Sequence, residues 1–506
     1  MFNARLSGIL FHPTSLPGPF GIGDLGQQAY HFVDWLAEAG QQLWQVLPLG
    51  PTGYGDSPYQ CFSALAGNPF LIDLFDLVER GYLALTDLAV PVFPASRVDY
   101  GRVITWKTGV LDRAFAQFES QPQPSAFAAF VDEERWWLED FALFMALKGE
   151  NGGRAWSQWA PELRDRQPQA LETARRRLAP AIQSHCFRQW LFFEQWSALR
   201  AYAHEKRIRI IGDIPIYVAM DSADAWSQRD LFYFDDEARP TVVAGVPPDY
   251  FSPTGQLWGN PIYNWDKMAA TGYVWWINRF RGNLRLYDII RIDHFRGFYN
   301  YWEVAGDAET AVDGVWKDGP REAFFDAVIA DLGDLPLIAE DLGEPHPGCY
   351  ALRDQFRFPG MKVLQFAWAS DGSDPFLPQN FDKNGVVYTG THDNDTTRGW
   401  YEKAPVAEQN YLGRYLRVSG EDVAWDLIRL AMMSPANIAV VPLQDCMNLG
   451  SEARMNTPGA ASGNWTWRFL PQQLTAGIQT GLAELCELYG RAFVSPDKKA
   501  VSPHSR

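Results

Sequence analysis

The stretch Ile289-Ile-Arg-Ile-Asp-His-Phe-Arg-Gly297 decides how this chain is read. Ile289, Ile290 and Ile292 make a short apolar run of β-branched residues, the pattern of a buried β-strand. The strand meets Asp293 and His294 and breaks at Gly297. A carboxylate at the end of a buried strand is costly unless something outside needs its charge. The pattern recurs downstream. Leu335-Pro-Leu-Ile-Ala-Glu-Asp-Leu-Gly343 ends a strand at Glu340, and Val386-Val-Tyr-Thr-Gly-Thr-His-Asp393 ends another at Asp393. Upstream, Ile208 to Ile211 leads into Gly212-Asp213. Any one of these acids alone reads as a helix cap or a loop salt bridge. Independent caps have no reason to point into one mouth, so the set suggests a single site.

Working outward, strands and helices alternate. Leu6 to Phe11 is a strand. Ala29, Phe32, Val33, Leu36 and Ala37 then share one helical face, with Asp24 as the expected cap and Gly40 as the stop. Strand-like runs centre near positions 8, 45, 210, 291, 338, 364, 388 and 440, with helical patterns such as Trp275 to Leu286 and Phe324 to Leu332 between them. Eight parallel strands with intervening helices predict an α/β fold, a (β/α)8 TIM barrel. A doubly wound sheet would want a Gly-x-Gly-x-x-Gly turn after a strand, and none occurs. Residues 51–180 interrupt the alternation with a Gly/Pro-rich loop and helical patterns such as Phe127 to Lys148. The expected organisation is a catalytic barrel over 1–50 and 181–494, a large, mainly helical inserted subdomain over 51–180, and a flexible polar tail over 495–506.

Composition narrows the partners. A formal charge of −17 argues against nucleic acid, whose phosphates need clustered Lys and Arg. No run of about 18 apolar residues and no leader peptide is evident, so no membrane partner is expected. The five cysteines are scattered without Cys-x-x-Cys spacing, which points to reduced thiols, a cytoplasmic location and no zinc ribbon. The 21 tryptophans exceed what packing alone asks for, and flat rings stack well on sugar faces.

Clustered carboxylates can hold Mg2+ or Mn2+. They can also cleave glycosides, one attacking the anomeric carbon while a second protonates the leaving oxygen. Arg291, two residues before Asp293 on the same strand face, would keep that acid ionised and would oppose a divalent cation. His294 and His392 stand beside acids and suit hydrogen bonds to sugar hydroxyls. Asp341 follows Glu340 directly and points to the other face.

Several motifs, in order along nearly the whole chain, carry a resemblance: Gly8-Ile-Leu-Phe-His-Pro-Thr-Ser-Leu-Pro17, Ser63-Ala-Leu-Ala-Gly-Asn-Pro69, Gly212-Asp-Ile-Pro-Ile-Tyr217, the segment 246–261 ending Gly255-Gln-Leu-Trp-Gly-Asn-Pro261, Arg291-Ile-Asp-His-Phe-Arg-Gly297, Gly390-Thr-His-Asp-Asn-Asp395 and Arg454-Met-Asn-Thr-Pro-Gly459. The chain resembles the amylomaltases, 4-α-glucanotransferases of the α-amylase clan. The resemblance implies that Asp293 is the nucleophile, Glu340 the general acid/base and Asp393 the transition-state stabiliser, with Asp395 a competing choice for the third role. It implies that Tyr59, Asp213, Arg291, His294 and His392 line the central sugar subsite. Trp258, Asn464 and the more remote Tyr54 follow as further substrate contacts. It implies donors and acceptors among maltooligosaccharides, amylose and glucose, no cofactor, no metal and a monomer acting in starch or glycogen metabolism. An α-amylase-type hydrolase of the same clan is the alternative.

Overall fold

The structure, a computed structural model, describes residues 4–248, 252–460 and 462–493. The apolar runs become strands because each is buried on both faces, as a parallel sheet covered by helices requires. In chain order the strands are β1 (Leu6–Leu10), β2 (Leu43–Gln45), β3 (Arg209–Pro215), β4 (Val242–Val246), β5 (Gln256–Pro261), β6 (Ile289–Asp293), β7 (Asn300–Ala305), β8 (Gly314–Asp318), β9 (Leu337–Ala339), β10 (Gly360–Val363), β11 (Gly385–Tyr388) and β12 (Ile438–Pro442). Eight of them close a parallel barrel in the order β1-β12-β11-β10-β9-β6-β3-β2. These are the eight runs found in the sequence. All their functional ends emerge at the carboxyl rim, the face on which barrels of this kind carry their chemistry.

The stretch between β2 and β3 folds mainly as helices, among them Tyr100–Glu119, Arg135–Glu150 and Ala179–Glu205. The expected helix over Phe127 to Lys148 is two helices, Ser125–Glu133 and Arg135–Glu150. They part at Glu134, whose buried carboxylate turns inward to accept the Trp137 indole N–H at 2.6 Å. The helix Gln27–Glu38 begins after Gly26, and Asp24 does not cap it. Instead Asp24 accepts the Gly26 N–H at 3.1 Å, a turn two residues long rather than a cap. The strand expected to centre near position 364 stops at Val363, and Leu364–Phe366 winds into a 3-10 turn that leaves Phe366 on the surface.

Residues 246–261, read as a long loop after the third strand, are in part a sheet. β5, β4, β7 and β8 pair in that order as a four-stranded antiparallel sheet with its own small core of Val243, Val304 and Ala311. Its strands are short, β4, β5 and β8 contain glycine, and β4 finds its partner β7 across the whole of β6, so no local pattern announces it. Tyr250 and Phe251, read with this segment, and the tail 495–506 lie outside the described residues. Among the described residues no helix is long and apolar enough to cross a membrane.

Candidate active site

Strand register assembles the buried half of the site. Parallel pairing of β3 with β6 sets Asp213 opposite Arg291 and Pro215 opposite Asp293. Neighbouring strands lie about 4.8 Å apart, so in-register side chains on one face touch. Arg291 Nη1 donates to Asp213 Oδ1 at 2.8 Å and Oδ2 at 2.7 Å, and lies 2.9 Å from Asp293 Oδ1. The Tyr59 hydroxyl adds a third contact to Asp213, 2.7 Å from Oδ2. Asp213 has no exposed side-chain surface, and burial alone would drive it toward the neutral acid. The guanidinium and the phenol oppose that. Arg291 is itself buried, yet the two carboxylates hold its charge more firmly than usual.

Glu340 follows β9, the neighbour of β6 on its other side. Ile292 pairs with Ala339, and the ladder runs on through the Glu340 N–H to the Ile292 carbonyl at 3.0 Å. Asp293 and Glu340 are therefore adjacent strand-end residues on one rim. Glu340 Oε2 accepts the His294 N–H and Oε1 the Leu342 N–H, each at 2.8 Å. Burial first, and then the charge of Asp293, push the Glu340 carboxyl up to about 7, against Arg291 and those two N–H groups. His294 takes the left-handed backbone conformation, with φ 55°. Burial pushes its imidazole down to about 4, so it is neutral near pH 7. The ring of Trp258, on β5, meets His294 edge to face at 4.8 Å.

His392 and Asp393 lie on the loop after β11. His392 Nε2 is 3.4 Å from Asp393 Oδ2, and its ring stacks on Tyr59 at 5.1 Å between centroids. Burial would lower the His392 imidazole, but the charge and hydrogen bond of Asp393, with the charge of Asp213, together outweigh it and the histidine is raised. Burial would raise Asp393, but His392 and the Asn456 amide outweigh that and hold it below the ordinary carboxylate range. Tyr59 feels the charges of Asp213, Asp293 and Asp393 together, so it joins the two halves of the site.

The other expected positions divide. Asp395 turns away from this group: its Oδ2 accepts Lys403 Nζ at 2.6 Å and Ser451 Oγ at 2.7 Å. Asp341 holds Arg353 and accepts the Met361 N–H at 2.9 Å. Asn464 lines an open polar cleft of about 480 Å3 with Arg97, Asp395 and Arg454. Its amide is engaged with its own loop, accepting the Thr457 N–H and donating to the Ala460 carbonyl, both at 2.9 Å. Tyr54 is an exposed ring, 78% accessible, and joins none of the contacts described above.

Sequence reasoning missed four supports. Asp445, buried three residues past β12, accepts Thr389 Oγ1 at 2.5 Å, Thr397 Oγ1 at 2.7 Å and the Thr397 N–H at 2.7 Å. It thereby ties together the two ends of the loop that carries His392 and Asp393. Its signal was there, a further acid shortly after the last strand, but offset from the strand end. Asn456 and Arg454 stood in a quoted motif without a role. His12, just past β1, lies buried behind His392 beside a cavity of about 30 Å3 and is neutral, its imidazole pushed down to about 3 by burial and by His392.

Comparison with known proteins gives concordant matches. A family profile described as 4-alpha-glucanotransferase matches residues 11–474. The 4-alpha-glucanotransferase of Thermus thermophilus is 54% identical over 482 residues, covering 93% of this chain and 96% of that protein. That of Synechocystis sp. is 51% identical over 506 residues, covering 98% and 100%. Among solved structures, an amylomaltase from Streptococcus agalactiae in complex with acarbose superposes with a TM-score of 0.95 at 39% identity, covering 97% of this chain and all of that one.

Proposed function

The chain belongs to the 4-alpha-glucanotransferase family, and on that premise we propose that it moves α-1,4-glucan segments by a retaining double displacement centred on Asp293 and Glu340. The observation that carries the mechanism is a contrast between neighbours. One carboxylate is clamped by a buried guanidinium, and the other is raised to about 7 beside it. Two carboxyls in opposed environments are what an attacking base and a proton donor require.

In the first step an Asp293 oxygen bonds to the anomeric carbon while the bond from that carbon to the departing glycosidic oxygen breaks. Glu340 gives its proton to that oxygen. Glu340, now ionised, takes a proton from the 4-hydroxyl of an acceptor glucan or glucose, whose oxygen displaces Asp293. An acceptor on the same chain gives a cyclic glucan. Asp393 accepts hydrogen bonds from the 2- and 3-hydroxyls as the ring flattens, Trp258 and His294 bound the sugar on one side, and Tyr59 and His392 on the other. Asn464 and Tyr54 serve glucan units further from the break. A metal-holding reading of the acids is disfavoured because the Arg291 cation already lies between Asp213 and Asp293.

Maltotriose tests this. The expected product is a ladder of shorter and longer maltooligosaccharides, lost by at least about 10³-fold in Asp293→Asn. Products that are only shorter would sink transfer in favour of hydrolysis, and an unimpaired Asp293→Asn would sink the nucleophile.

A further inference from the structure

The mechanism leaves the motif Arg454-Met-Asn-Thr-Pro-Gly459 unused, yet it lies against the tip of the loop that bears Asp393. Asn456 Nδ2 donates to Asp393 Oδ1 at 2.6 Å, and the Asn456 N–H donates to the His392 carbonyl at 3.1 Å. Arg454 Nη2 donates to the Asp393 carbonyl and Nε to the Asn456 carbonyl, both at 2.7 Å. Three hydrogen bonds from one tripeptide thus reach one dipeptide, and the fourth braces the tripeptide itself.

We propose that Asn456, held by Arg454, is a positioning residue that aims the Asp393 carboxylate at the sugar hydroxyls. The proposal rests on the role given to Asp393 above. Asp393 has no strand register to fix it, and its side chain is 44% exposed. An exposed carboxylate rotates and hydrates freely, and reorganising it at each turnover would cost rate. Asn456 occupies one lone pair of Oδ1, and His392 stands beside Oδ2. Each oxygen keeps a second lone pair for a ligand. The chemistry of the donor matters too. A neutral amide orients the carboxylate and leaves its charge for the substrate, whereas the Arg454 cation is spent on main-chain oxygens.

The test uses α-maltosyl fluoride and its 2-deoxy counterpart as donors, in the full-length protein. Asn456→Ala is expected to lower kcat on α-maltosyl fluoride by roughly 10- to 100-fold, the scale of one hydrogen bond to a charged group, with KM little changed. The wild-type penalty for deleting the 2-hydroxyl should shrink in the variant, because the contact it reports is already loosened. Asn456→Asp keeps the shape but sets a second carboxylate against Asp393, and should lose at least as much kcat. A merely structural asparagine would cost stability yet leave the 2-deoxy penalty at its wild-type size, and that result overturns the proposal. A wild type indifferent to the 2-hydroxyl would overturn the assignment of Asp393, and this inference with it.

Discussion

Asp293 and Asp393 are both acids on the carboxyl side of the barrel, but the protein secures them by different means. Asp293 belongs to β6, and its partner Arg291 is placed by the ladder that also places Asp213. Asp393 lies beyond the end of β11, on a loop, and is held by side chains from the connection after β12. Backbone hydrogen bonds repeat at fixed spacing, so the first arrangement is rigid by construction. The second must be tied, at its tip by Arg454 and Asn456 and at its base by Asp445. The difference matches the two tasks proposed for them. A nucleophile needs one fixed line of attack, whereas a carboxylate that meets sugar hydroxyls from a loop needs side chains to hold its aim.

The largest effect expected is on the ladder side. Arg291→Met leaves Asp213 and Asp293 facing each other with no cation between them. Removing one partner of a buried ion pair costs about 3–5 kcal/mol, read from urea unfolding, and transfer should fall beyond about 10³-fold. A loss of transfer within about tenfold would show that strand register places Asp293 without the guanidinium, and the role given to Arg291 would fail.

A second effect follows from the raised Glu340. The acid must be protonated in the free enzyme, so kcat/KM should hold below about 7 and fall about tenfold per pH unit above it. The same change has a stability sign. A carboxyl raised from 4.5 to about 7 binds its proton more tightly in the folded chain, so its stabilising contribution is full below about 4.5 and is lost as pH rises through about 7. A basic limb unmoved from wild type in Glu340→Gln would show that the limb belongs to another group.

Tyr59 touches both halves, so it can separate them. Tyr59→Phe removes the hydroxyl from Asp213 and keeps the ring on His392. The expected loss in kcat/KM is about tenfold, the worth of one hydrogen bond to a charged acceptor. A larger loss would mean that the stacked half depends on the buried half and that the two are not independent supports.

The same division governs what the sequence revealed. β6 was legible because Ile289, Ile290 and Ile292 are buried and Asp293 ends the run, so pattern and position coincide. Asp213, Glu340 and Arg291 were legible for the same reason. Asn456 was not, because its meaning lies in a contact across 63 residues of chain that no local periodicity records. The sheet of β4, β5, β7 and β8 was hidden likewise, since its pairing jumps over a barrel strand. Trp258 could be singled out as a ring, but not placed on a strand edge-on to His294. Spacing exposes what a ladder holds, and it is blind to what a loop holds by side chains from elsewhere.

The smallest effect decides between two acids that spacing alone left close together. Asp395 is engaged by Lys403 and Ser451, whereas Asp393 faces the mouth beside His392. Lys403 has a side chain 65% exposed, but that of Asp395 is only 9% exposed, so the pair is half-buried, and Ser451 still holds the carboxylate when the lysine is gone. Lys403→Met should therefore lower the unfolding temperature and keep maltotriose transfer within about twofold of wild type. Were Asp395 the acid that meets the sugar hydroxyls, the cation at 2.6 Å would set both its orientation and its charge. Its removal would then change kcat on α-maltosyl fluoride by about tenfold or more, a scale that one charged contact in a reacting site reaches. A loss of that size in Lys403→Met would move the loop-held role from Asp393 to its neighbour two residues on.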